Sequence, residues 1–458
     1  MSHSPIILRW RLGPDFLLAP KAETELALTL ADGRTVTLKP STIGLRDALL
    51  ALVEGADERH LLALTGGGGG AMLHHYIAKL AAGGIIEASA DGGEVPLIRL
   101  IPLQIEFSLP RAESLPQRVM LNRFAYLRRS ERGAILQHPD APFDVLIENE
   151  ACGRLITSLA SGSRDIRSLT GALDHALLAL LVSPGFVVDA DAEEPPMRQS
   201  WEFHERVFHR TTRPHNDLLT RGATYRFLDQ WPAPPAIRPH YQGQRIALPG
   251  PGSLPSSSSA ALRDVMENRR SVRAMSAEPV SIEAISQLLH RVARVKEIHP
   301  GRHPIPQQTL LRPYPSAGAI HELEFYLAIG CCDQLSPGLY HYNGEEHALT
   351  LILNAEKAAA GMVAECAASW GQPDQPPHAV MVITSRLPRL AWKYTAIAYR
   401  MSLINAGVVV QSLYLTAADL GLAGCAIGTG NSDLFAQATG VSSWEETSIA
   451  EFGFGRPA

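Results

Sequence analysis

AWKYTAIAYRMSLINAGVVVQSLYLTAADL, residues 391–420, runs for thirty residues with no proline and a single internal glycine. Proline and glycine are the residues that most strongly oppose a helix interior, so the stretch predicts one long helix. Its small pair Ala406-Gly407 permits a close helix crossing, and most of its length reads as a core or dimer-forming helix. Lys393 and Tyr394 stand apart as titratable donors near the helix start. Arg400 follows Lys393 by seven residues, roughly on the same face of a helix. The bland alternative is a surface lysine beside a half-buried tyrosine.

Working outward, CAIGTG (425–430) is a small-residue loop just after this helix. Its lone G-x-G is no dinucleotide fingerprint, and no G-x-G-x-x-G follows a strand anywhere in the chain. Upstream, helices alternate with the strand-like runs Glu322 to Ile329 and Ala379 to Thr384, an α/β or α+β pattern that begins near Ala260. PSAG (315–318) precedes the first of these runs. Its small residues would let backbone amides approach a flat ligand closely; alone, it is a tight turn. ENRRSVR (267–273) places Arg269, Arg270, Ser271 and Arg273 where a helix gives way to a loop, a donor set suited to the oxygens of a phosphate. Its plainer reading is a solvated basic helix end.

The N-terminal half reads differently. Leu26 to Leu30 and Arg34 to Leu38 alternate apolar and polar residues around Asp32-Gly33, a hairpin pattern. A helix capped by Ser41 or Thr42 follows through Val53, then a helix from Ala71 to Ala81 and a strand from Ile85 to Glu87. The order recurs: Phe124 to Leu127 and Gly133 to Gln137 flank a charged turn, helices follow over 149–160 and 171–182, and Phe186 to Val188 closes the set. Two winged-helix-like modules are expected, at 1–92 and 93–192. A helical and proline-rich connector spans 193–259, with WEFHERVFHR (201–210) expected to pack onto the domain at 260–458.

With a net charge of -5, the chain is not read as a nucleic-acid or membrane-surface protein. Residues 1–90 hold eight Lys or Arg against nine Asp or Glu, the wrong sign for a DNA reader. The opening MSHSPIILRW has neither a basic stretch running into an apolar one nor a long charge-free span, so a cytoplasmic location is expected. Five cysteines without C-x-x-C spacing, and histidines without H-E-x-x-H spacing, point to neither a disulfide framework nor a metal site. No G-x-S-x-G elbow or Walker loop is present.

Taken in order, RRSVR, PSAG, WKY...YR...NAG and the terminal FGFGR resemble the nitroreductase-fold FMN enzymes over roughly residues 200–458. Within them, the Lys-Tyr pair resembles the SagB-type branch, peptide azoline dehydrogenases that aromatise thiazoline and oxazoline rings beside a cyclodehydratase. The resemblance implies an α+β fold in which a nitroreductase-like FMN domain, an antiparallel-rich sheet with helices, follows the two small modules. It implies FMN held by Arg269, Ser271 and Arg273, with Arg270 and Arg456 as further phosphate candidates. Pro315, Ser316, Ala317 and Gly318 would line the flavin, and Ile427, Gly428 and Gly430 would lie near its reactive edge. Lys393 and Tyr394 would be the catalytic pair. A homodimer, an azoline-bearing precursor peptide as substrate and oxygen as final acceptor are implied as well. The doubled N-terminal order is similar to that of cyanobactin oxidases and implies leader recognition, by strand addition to the hairpin edge. Where the branch often reads acidic-Ala-Gly-His, this chain has Asn405-Ala406-Gly407-Val408. An NAD(P)H-dependent nitro- or quinone reductase and a catalytically inactive leader-binding scaffold are the alternatives.

Overall fold

A computed structural model describes residues 6–66, 68–92, 95–103, 114–169, 171–213, 219–250 and 260–458. The serine-rich end of the expected connector, 251–259, lies outside the described residues. The chain divides into two compact units, Met1–Thr220 and Arg221–Ala458.

In the first unit, a three-stranded sheet of Leu17–Ala22, Glu25–Thr29 and Thr35–Leu38 precedes three helices, Ile43–Ala51, Glu58–Thr65 and Gly70–Ala82. Thr42 caps the first helix by accepting the Leu45 amide, and Asp57 caps the second by accepting that of His60. The second helix escapes a periodicity reading because it is only eight residues long. The hairpin Tyr126–Ser130 and Gly133–Gln137, the helices Glu150–Ala160 and Ala172–Val182, and the strand Val187–Asp189 repeat the hairpin-then-helix order. The expected boundary at 92/93 does not separate two cores. Ile86–Gly92 pairs with Val95–Pro102 inside one seven-stranded sheet, and a single apolar cluster runs from Trp10 to Val187. Ile86 to Asp91 is buried at every position, and Leu97, Ile98, Leu100 and Pro102 of the partner strand are buried with it, so the pairing lies inside the shared core.

The expected connector is also divided. Phe203–Thr212 is a helix with a reciprocal Glu202/Glu205 capping box, and it belongs to the first unit, not to the domain it is expected to join. Arg206 is ion-paired with Asp140, and the Phe203 ring meets that of Tyr126 edge-on at 5.8 Å.

The second unit is built on a seven-stranded, wholly antiparallel sheet ordered Arg245–Ala247, Ala348–Leu351, Gly338–Asn343, Leu323–Ile329, Ala379–Ser385, Thr447–Gly455, Ala423–Ile427. Its central strands are buried on both faces. Leu323, Phe325, Leu327 and Ile329 face helices Ile282–Ala293 and Ala398–Asp419, whereas Tyr326 and Ala328 face Glu356–Ser369 and Ser432–Thr439. This is the expected α+β arrangement.

The long helix is shorter than its sequence suggests. A short helix Leu387–Ala391 ends, Tyr394–Thr395 pairs as a strand with Gly222–Ala223, and only then does Ala398–Asp419 begin. Tertiary contacts override helix propensity here: Trp392 is fully buried with its indole nitrogen donating to the Trp231 carbonyl at 3.0 Å, and Ala396 takes φ 64°. Lys393 and Tyr394 therefore lie off the helix, and the helical phase relating Lys393 to Arg400 does not apply. By length and composition Ala398–Asp419 could cross a membrane. Its Asn405, Ala406, Val409, Leu413 and Ala417 stripe is instead packed in the core.

Candidate active site

Gly318, at φ 59°, turns the chain so that PSAG passes close above the Lys-Tyr pair. A Cβ placed on Gly318 would fall 2.5 Å from both Lys393 Nζ and Tyr394 Oη, so only glycine leaves these two groups their space. Lys393 Nζ lies 5.3 Å from the centre of the Tyr394 ring and 5.8 Å from that of Tyr225. The Lys393 carbonyl accepts the amides of Thr224 and Tyr225 at 3.0 and 3.1 Å, while Tyr225 itself sits at φ 52°. This clasp comes from the expected connector, where a two-residue strand gave the sequence no signal.

The PSAG turn is fixed from below by Asn405. Its Oδ1 accepts the Ala317 amide at 3.3 Å, and its Nδ2 donates to Ser316 Oγ at 3.1 Å and to Glu322 Oε1 at 3.0 Å. Ser316 Oγ also donates to Glu322 and accepts the His321 amide. Asn405, the departure from the branch pattern, is thus a clamp on the loop beside fully buried Glu322. Pro315 and Gly318 remain exposed.

A second cluster assembles around Tyr414. The Arg269 guanidinium stacks over its ring at 5.2 Å, and Ser271 Oγ lies 3.1 Å from its hydroxyl, which accepts the Ala426 amide at 2.9 Å. The Val272 amide donates to the Gly424 carbonyl at 3.1 Å, seating RRSVR against the strand that ends in CAIGTG. Arg270, Ser271 and Arg273 are exposed, and none of Arg269, Arg270 and Arg273 forms an ion pair among the described residues. Arg456, by contrast, is ion-paired with Glu278.

Ile427 and Gly430 border a cavity of about 310 Å³ with Met362, Cys366, Phe435 and Glu451. Gly430, at φ 116°, presses its backbone onto the Glu451 carboxyl: a Cβ there would meet Oε2 at 2.2 Å. Burial pushes that carboxyl up to about 7, against a hydrogen bond from Ser448 and with help from the charge of Glu365. Gly428 has open space where a Cβ would project.

Asn405 and Tyr414 are nine residues apart on one helix, hence about 14 Å along its axis and about half a turn around it. The Lys-Tyr cluster and the arginine cluster accordingly flank opposite sides of its buried stripe. The donors suit FMN on two counts: three guanidiniums and a hydroxyl within five residues have no competing carboxylate among the described residues, and Gly428 leaves its backbone open to close approach.

Residues 266–456 match the nitroreductase family, whose members bind FMN, and residues 119–217 match the cyanobactin oxidase ThcOx family. A Methanocaldococcus jannaschii protein that carries the nitroreductase name is 27% identical over 175 residues, 38% of this chain and 82% of its own. Among solved structures, a Ralstonia eutropha protein described as a nitroreductase is 22% identical, covering 52% of this chain and 99% of its own, at a TM-score of 0.37. A chain of the E. coli microcin synthetase McbBCD complex, solved with truncated pro-MccB17 bound, is 21% identical, covering 45% of this chain and 77% of its own, at 0.34.

Proposed function

For a chain that joins a nitroreductase-family domain to a region of the cyanobactin oxidase ThcOx family, we propose FMN-dependent oxidation of thiazoline or oxazoline rings in a ribosomally made peptide. The observation that carries this reading is the convergence of Lys393 Nζ and Tyr394 Oη under Gly318. Aromatising a closed azoline removes a proton from one ring carbon and a hydride from its neighbour. FMN, when bound, would supply the two-electron oxidation, with oxygen as the proposed final acceptor. Arg269, Ser271 and Arg273 would hold its phosphate, with Arg270 beside them; Arg456 would have to leave Glu278 to join. Pro315 to Gly318, Ile427, Gly428 and Gly430 would line the ring system.

The chain's own groups do the rest. Lys393 and Tyr394 take the proton as a unit, and the Thr224 and Tyr225 amides fix the backbone of that unit through the Lys393 carbonyl. Asn405 holds the PSAG turn against the substrate side. Because the two clusters flank opposite sides of one helix, a site drawing on both requires a second copy of the chain, which supports a homodimer. Exposed Leu403, Ile404 and Gly407 on that helix, with Leu262 and Met266 on Leu262–Asn268, offer an apolar surface for it. The first unit would capture the leader of a precursor delivered by a cyclodehydratase.

Incubating the purified flavoprotein with an azoline-bearing peptide should lower the peptide mass by about two hydrogens per ring oxidised. The name of the Methanocaldococcus relative favours a second reading, an NAD(P)H-dependent reductase. Bleaching of the flavin by NAD(P)H, with no mass change in the peptide, would select it.

A further inference from the structure

Beside Lys393 lies a second cavity, of about 460 Å³, that none of the expected cofactor residues borders; its walls include Tyr225, His299, Arg302, His303, Gln307 and Lys393. We infer that it is a subsite for a substrate carboxylate next to the azoline ring, a role that rests on the dehydrogenase reading above. Arg302, Lys393 and two imidazoles line it, and no carboxylate does among the described residues. The nearby acid, Glu297, is engaged with His299 at 3.1 Å. Arg302 is exposed and makes no ion pair among the described residues, so its guanidinium is free to bind a carboxylate in bidentate fashion.

The loop is built to present Arg302. Strands Glu297–His299 and Thr309–Leu311 pair at its base, and the Ile305 amide closes onto the Arg302 carbonyl at 2.6 Å. Gly301 is pressed onto Pro306, where a Cβ would meet the carbonyl oxygen at 2.1 Å. A second signal comes from Gln307, which is 4% exposed. Its Nε2 donates to the Arg389 carbonyl at 2.8 Å, while its buried Oε1 accepts nothing among the described residues. A buried acceptor left without a donor is costly, and a peptide N–H would satisfy it. An occupant with both an N–H and a carboxylate is a peptide segment, and Lys393, shared between this cavity and the Lys-Tyr pair, places that segment beside the proposed base.

The test uses the full-length FMN-loaded protein and four peptides that share one ring. The residue after the ring is Asp or Asn, and the C-terminus is an acid or an amide. Titration calorimetry with the oxidised thiazole forms should show either carboxylate source binding about five- to tenfold more tightly than the neutral Asn amide. Comparing the Asp amide with the Asn acid tells whether side chain or terminus is used. Arg302→Gln should erase the preference and raise KM for the carboxylate-bearing thiazolines with kcat unchanged. Arg302→Glu should shift the preference to a Lys-bearing peptide, a gain that a misfolded variant cannot give. Equal affinities in the wild type, or a preference that survives Arg302→Gln, would overturn the subsite. A carboxylate preference with no loss of hydrogen from any thiazoline would leave the subsite standing and remove the dehydrogenase reading.

Discussion

Lys393 and Tyr394 reach the underside of Gly318 from a backbone clasped by Thr224 and Tyr225, so their positions are fixed by contacts distant in sequence. Lys393→Ala and Tyr394→Phe are each expected to keep bound FMN, since neither belongs to the arginine cluster, yet to slow azoline-driven flavin reduction by about 10² to 10⁴. Two groups that handle one proton are not additive, so the double variant should be little worse than the weaker single one. Near-normal single-turnover flavin reduction in both variants would reduce the pair to packing residues. Glu451 supplies a different test. Its folded carboxyl titrates at about 7, above the ordinary 4.5, so the stability carried by the neutral acid is fully present below about 4.5. That stability is lost as pH rises through about 7. At about 1.4 kcal/mol per pKa unit, the loss by pH 8 is on the order of 3 kcal/mol. Glu451→Gln should therefore flatten the fall in Tm between pH 5.5 and 8; an equally steep fall in the variant would show that other groups set it.

At the scale of elements, the short loops were legible because their chemistry is local. ENRRSVR, PSAG and CAIGTG announce themselves by charge or by small residues, and the structure puts the first and third around Tyr414 and the second over Lys393 and Tyr394. The break between Leu387–Ala391 and Ala398–Asp419 was not legible, since a run without proline gives no sign that Gly222–Ala223 will add to Tyr394–Thr395 from 172 residues away. Arg389 was missed for the same reason. It is completely buried and donates to three carbonyls, of Ile320 at 2.9 Å, Pro234 at 2.7 Å and Gln308 at 2.7 Å. It thereby joins the exit of PSAG to two loops that sequence treats as unrelated. Arg389→Met keeps the length of the side chain but orphans these acceptors, each worth about 1 to 3 kcal/mol when left unmade. Chemical denaturation should report a loss of at least about 3 kcal/mol. A variant of wild-type stability would mean that water or a rearranged loop replaces all three bonds.

For the whole molecule, the chain separates after Thr220, not at the expected 192, because Phe203–Thr212 belongs to the first unit while Gly222 to Tyr225 completes the second. A truncation at 190 would burden the second unit with a helix that belongs to the first. Starting at Arg221 keeps the whole clasp on Lys393, together with the arginine cluster and PSAG. The first unit offers sheet edges at Leu17–Ala22 and Thr35–Leu38, with Leu17 and Val36 exposed, suited to strand addition by a leader. If leader capture lies there and chemistry in the second unit, the two functions should part on deletion. Residues 221–458 should fold, bind FMN and oxidise a short azoline peptide at close to the full-length rate. For a leader-bearing precursor at limiting concentration, kcat/KM should drop by about 10² or more, because the ring is no longer delivered by a tethered leader. Supplying the excised leader as a free peptide separates the outcomes further. It should inhibit the full-length protein by competing for the first unit and leave the truncated one untouched. Equal turnover of the long precursor by both proteins would take leader capture away from residues 1–220.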